Sequence, residues 1–147
     1  MVDEVVFKKI YADWDPQRCH FNKALLLRCT GCRCSQRVLI AERESTTCRS
    51  RIGHERCGVF LDLLRVKSTF ALGIMDPHQP LPHAKEVKLQ CGGLQALSAA
   101  LPQVDARDVD ALLEAAIREF GAMETLSFEP VVRSISAYVV PRRRGGT

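Results

Sequence analysis

Long hydrophobic runs are missing from this 147-residue chain. Its longest apolar stretches, such as residues 24–27 and 38–41, fall far short of the roughly 20 residues that a membrane-spanning helix needs, so no span is expected. The opening residues, MVDEVVFKK, contain no basic segment followed by a sustained apolar one. No secretory leader is therefore read there, and the expected location is cytoplasmic. Aromatic residues make up only 6% of the chain, and no aromatic-rich basic stripe accompanies the mild net charge of +4, which leaves nucleic acid a minor candidate partner. Catalytic signatures are absent too. There is no GxSxG, no HExxH, no Gly-Lys-Ser/Thr phosphate loop and no GxGxxG, and no substrate pocket is inferred, so the chain is not assigned to an enzyme class.

What the chain does have is cysteine. Seven are spaced C-x9-C-x2-C-x-C-x13-C-x8-C-x33-C, three of them within the six residues CTGCRC. An odd number excludes a disulfide framework that pairs every cysteine within one chain. In a reducing compartment such clusters more often bind metal or carry out redox work.

The length suits one domain with its own core. Residues 5–10 (VVFKKI) read as a strand ended by an Asp15-Pro16 turn, and residues 24–28 as a short buried strand running into CTGC. Residues 35–45 mix helix formers with Val38, Leu39 and Ile40, and are read as helical. Ser50 caps a central helix to about residue 71. Val59, Leu63, Val66 and Phe70 recur on one helical stripe, with Cys57, Phe60, Leu61 and Leu64 on the next. Three prolines in MDPHQPLPH forbid regular structure over residues 74–83, which read as an ordered loop or a hinge between two halves. Alternation of Val87, Leu89 and Cys91 predicts a strand over 86–91, with Gly92-Gly93 turning into a short helix that carries Leu94, Leu97 and Leu101. Asp105 and Asp108 open a last amphipathic helix through Leu112, Ile117 and Phe120, and Gly121 stops it. Residues 130–140 read as a final strand. The expected fold is a small single α+β domain over residues 1–141, with a long central helix and a second amphipathic helix packed with a short sheet. The basic segment 142–147 forms a mobile tail.

Cys29 and Cys32 are the sharpest chemical signal. Two cysteines flanking Thr-Gly turn both thiolates towards one ion or cluster, and the aliphatic residues ahead of them supply a dry wall. Cys91 ends its segment against two glycines, where backbone N–H groups can reach the sulfur. Cys48 and Cys57 bracket the start of the central helix and complete a proposed set of Cys29, Cys32, Cys48, Cys57 and Cys91. Cys48 can reach that set only if residues 35–47 are not one continuous helix, which would hold it about 20 Å from Cys32. Cys19 and Cys34 are reserves. His20, His54, His78 and His83 are scattered, with His78 and His83 the better placed to join a metal.

Structural zinc usually uses two short ligand pairs, whereas iron–sulfur clusters also accept isolated cysteines. The spacing therefore predicts an iron–sulfur cluster, 4Fe-4S ahead of 2Fe-2S, in an electron-transfer or accessory component of a larger redox system served by a redox partner protein. The alternatives are a zinc-stabilised binding module with a basic tail and a CxxC thiol-redox protein. The last rests on a local arrangement, strand–CTGC–helix, that resembles the thioredoxin-like motif without implying its fold.

Overall fold

A computed structural model describes residues 17–141, so the expectations for residues 5–10, for Asp15-Pro16 and for the tail 142–147 lie outside the described residues. The fold is α+β. Helix α1 (Asn22–Leu26) leads into a loop, then a two-stranded antiparallel hairpin of β1 (Ser35–Ile40) and β2 (Arg43–Cys48). Helix α2 (Arg51–Lys67) follows, then the proline loop, then α3 (His83–Val87), a π-helical segment (Lys88–Gly92) and α4 (Gly93–Ala100) in one unbroken helical run. Helices α5 (Val109–Phe120) and α6 (Phe128–Ala137) complete the order.

The central helix starts where its cap chemistry predicts: Ser50 Oγ accepts a hydrogen bond from Gly53 N at 3.0 Å. It ends at Ser68 rather than near residue 71, and its buried stripe is Cys57, Phe60, Leu61 and Leu64. Val59 and Val66 are exposed, Leu63 is half-buried, and Phe70 lies wholly in solvent beyond the helix end. The expectation that Val59 and Phe70 face the core is thus corrected in phase.

Three predicted strands are helices. Residues 24–28 hold the end of α1 and a turn. Residues 86–91 are helical, with two polar side chains buried against distant partners: Glu86 Oε1 accepts from Arg65 at 2.6 Å, and Gln90 Oε1 accepts from the Ala24 amide at 3.0 Å. Half-buried strands place such residues in solvent, so the alternation of Val87, Leu89 and Cys91 misleads. Residues 130–140 form most of α6, whose buried Phe128, Val131 and Ile135 follow a helical period once Phe128 is included. Pro130 sits in its first turn, where a missing N–H costs nothing.

The converse holds for residues 35–45, read as helix and found as the hairpin. Ala41 and Glu42 make its two-residue turn with φ of 51° and 68°, the left-handed conformation such turns require. Ala-Glu lacks the Asn-Gly signature that announces it.

The core centres on Phe21, Phe60, Leu64, Leu89, Leu112, Leu113 and Ile135, all essentially inaccessible. Gly92 and Gly93 belong to the helical run, not to a turn. A Cβ at 92 would meet the Ile135 backbone at 2.6 Å and one at 93 the Leu64 side chain at 2.7 Å, so only glycine lets α6 and α2 approach. Asp108, not Asp105, caps α5 through Ala111 N, and Phe120 at its far end is 40% exposed. Gly121 stops the helix at φ 90°. No helix among the described residues is long and apolar enough to cross a membrane.

Candidate functional site

The hairpin organises the thiols. Its register sets Ser35 opposite Cys48, so the turn that carries Cys32 and the end of β2 lie side by side. The Cys32 carbonyl accepts both the amide and the hydroxyl of Ser35, at 3.1 and 2.8 Å, and the Cys34 carbonyl accepts the Arg49 amide at 2.8 Å. Residues 17–19 run antiparallel along the free edge of β2. Arg18 bridges to Thr47, Cys19 N donates to Thr46 O at 2.9 Å and Cys48 N donates to Gln17 O at 2.8 Å. Asn22 locks this corner, because its buried Oδ1 accepts from the Thr46 amide and hydroxyl at 2.9 and 2.7 Å.

Cys19, Cys32, Cys48 and Cys57 therefore arrive from four separate elements at one small cavity of about 10 Å³, completed by His20, Ser35, His54 and Val109. That is room for a single water-sized sphere. Among the described residues no three His, Cys, Asp or Glu side chains are placed to hold a metal ion, so the thiols encircle the cavity without closing on one point.

Burial pushes Cys19 up to about 11 from its ordinary 9.0, raises Cys32, and raises Cys57 further still, the neighbouring Cys19, Cys32 and Cys48 adding to the last. Opposing this, nearby backbone amides favour the thiolate: that of Phe21 at Cys19, and those of Cys34 and Asp110 at Cys32. Desolvation wins while no cation is near. A bound cation reverses the balance, since it supplies the charge that burial has removed. His20 stacks on His54 with ring centroids 4.1 Å apart, and burial, then His54, holds it down at about 4, hence neutral at physiological pH.

The Cys32 turn is anchored from α5. Arg33 Nε donates to Asp110 Oδ2 at 2.9 Å, the Arg33 amide to Asp108 Oδ1 at 3.2 Å, and Val109 N to Gly31 O at 2.9 Å. Arg56 of α2 reaches Asp110 Oδ1 at 3.2 Å, so one buried carboxylate joins both helices that wall the cavity.

Of the five cysteines the sequence singles out, Cys32, Cys48 and Cys57 meet here. Cys29 and Cys91 do not: they form a disulfide with each other, 62 residues apart in the chain. The CxxC pair is split, its two sulfurs serving different surroundings. Cys19, held in reserve by the sequence reading, lines the cavity, whereas Cys34 does not. The overlooked signal for Cys19 lay in the neighbouring Phe21 and Asn22, whose burial draws that segment against β2. Neither His78 nor His83 lines the thiol cavity, and His83 Nδ1 lies 2.9 Å from Lys23 Nζ. The chain matches no known protein family, no curated protein and no solved structure.

Proposed function

We propose that Cys19, Cys32, Cys48 and Cys57 ligate an iron–sulfur cluster, and that the protein is an electron-transfer or accessory component of a larger redox system. The observation that carries this reading is the convergence of four cysteines, from four separate segments, on one small cavity. Backbone amides beside two of those sulfurs favour the thiolate over the thiol, the influence that also tunes cluster sulfurs. The four are spaced C-x12-C-x15-C-x8-C, with none of the short pairs typical of zinc knuckles. Assembly requires the side chains to turn outward about χ1, which the half-buried Cys19, Cys32 and Cys48 permit. The small cavity itself favours a second reading, one zinc ion drawn in by the same four thiolates in a structural role.

Protein prepared without oxygen is expected to be brown, to contain iron and acid-labile sulfide, and to bleach on reduction. Changing Cys19, Cys32, Cys48 or Cys57 to Ser abolishes the colour. Colourless protein with one zinc per chain selects the structural reading. Metal-free protein under both conditions overturns both.

A further inference from the structure

The Cys29–Cys91 disulfide lies in the wall of a cleft of about 280 Å³ that shares no residue with the thiol cavity. Its two sulfurs are unequal. Cys29 is exposed, on the loop that follows α1, whereas Cys91 is only 3% exposed within the π-helical segment. A nucleophile arriving from solvent therefore reaches the Cys29 side of the bond. Leu94 and Ala106 give the cleft apolar surface, and Gln95, Ser98 and Tyr138 give it polar side chains. Those three polar side chains hydrogen-bond no described residue, and no charged residue lines the cleft. The volume falls just short of the roughly 300–1,000 Å³ of drug-sized sites, which suits one cysteinyl side chain with its flanking amides. Thr30 Oγ1 donates to Ala106 O at 2.9 Å, which holds the Cys29 loop against this opening.

We propose that the cleft is a thiol–disulfide exchange site for a small cysteinyl peptide. The peptide's thiolate attacks Cys29 Sγ, and a bond between the two sulfurs forms as the Cys29–Cys91 bond breaks. The bonding pair leaves on Cys91 Sγ, which takes up the proton that the incoming thiol had lost. Cys91 is reduced, the peptide sulfur is oxidised, and no outside oxidant enters. Gln95, Ser98 and Tyr138 exchange hydrogen bonds with the peptide's amides and so orient its sulfur. The reaction does not draw on the thiol cavity.

The test exposes the full-length protein, without oxygen, to reduced glutathione or to 2-mercaptoethanol, followed by acid quench, alkylation and peptide mapping. A reduced thiol adds under these conditions only where a disulfide already stands, so the free cysteines take no adduct. Early time points should show one glutathione on Cys29 and a newly alkylated Cys91. At equal thiolate concentration, glutathione should react about tenfold faster than 2-mercaptoethanol, the gain from one or two added hydrogen bonds. Gln95→Ala combined with Tyr138→Phe should bring that ratio to about one and leave the 2-mercaptoethanol rate unchanged. Gln95→Ala alone, at an exposed position, should lower the ratio and carries the test should the double variant not fold. No adduct, an adduct on Cys91, equal rates for the two thiols in the native protein, or an unchanged ratio in the variants overturns the proposal.

Discussion

Cys29 and Cys32 lie three residues apart, yet the structure commits them to unlike places. Cys32 sits half-buried beside three other thiols, its turn fastened through Arg33 to Asp110. Cys29 is exposed, bonded to buried Cys91 at the mouth of a cleft of about 280 Å³ bounded by Leu94, Ser98, Ala106 and Tyr138. One region concentrates thiols and amide donors, the needs of a soft cation. The other has no further thiol and joins the loop covalently to the helical layer. Between them, Thr30 is buried with its hydroxyl donating to Ala106 O at 2.9 Å, so the short bridge separating the two regions is itself pinned. A CxxC read as one ligand pair is here a junction: one cysteine joins the thiol cavity, the other ties the loop to Cys91.

The sharpest way to break this comparison is to exchange the two roles by mutation. Cys32→Ser is expected to eliminate bound metal altogether, while Cys29→Ser leaves iron and sulfide stoichiometry unchanged. Equal loss in both variants would show that the pair acts together and that the disulfide gives way when metal binds.

The next effect concerns stability. Losing the Cys29–Cys91 tie, by Cys29→Ser or by a dithiol reductant, should lower unfolding free energy by about 2–4 kcal/mol, because a closed loop of this length restricts the unfolded chain. A lower urea midpoint with a steeper slope is the expected signature, because the untied denatured chain is less compact. If reductant leaves the midpoint of the wild-type protein in place, the tie contributes nothing and the contrast between the two regions is one of exposure only. Phe60→Ala, by comparison, opens a cavity in the core against Phe21 and should cost about 3–5 kcal/mol in either redox state.

How far the sequence foretold all this varies by element. Helices α2 and α5 were legible because Ser50 and Gly121 act locally and their apolar stripes repeat over many residues. The single α+β domain followed. The hairpin was not legible, since Ala41 and Glu42 are helix formers held at positive φ by the strands they join, and tertiary pairing overrides propensity there. The strand expected at 86–91 failed for the opposite reason: Glu86 and Gln90 are buried polar residues whose partners, Arg65 and the Ala24 amide, come from distant segments. The site inherits both errors. Cys48 reaches Cys32 through the hairpin, and Cys91 lies in a π-helical segment instead of at a strand end. Three of the five singled-out cysteines still meet: Cys48 and Cys57 flank the legible start of α2, and the hairpin brings Cys32 to them.

The smallest expected effect probes how Cys48 and Cys57 are held relative to each other. Ser50 lies between them, its Oγ capping α2 through Gly53 N and its carbonyl 3.2 Å from Cys48 Sγ. Ser50→Ala removes the cap but keeps the carbonyl, so the first turn of α2 loosens while Cys48 retains its neighbour. Unfolding free energy should fall by about 1 kcal/mol. Cys57 is in the second turn of the helix, past the segment that frays, so metal should still load to full stoichiometry but leave faster when challenged with a chelator. Cys29→Ser, on the far side of the Thr30 bridge, should not alter that release rate. Faster release in both variants would mean that the loop and the cap work as one support, and would dissolve the distinction between the two cysteine regions.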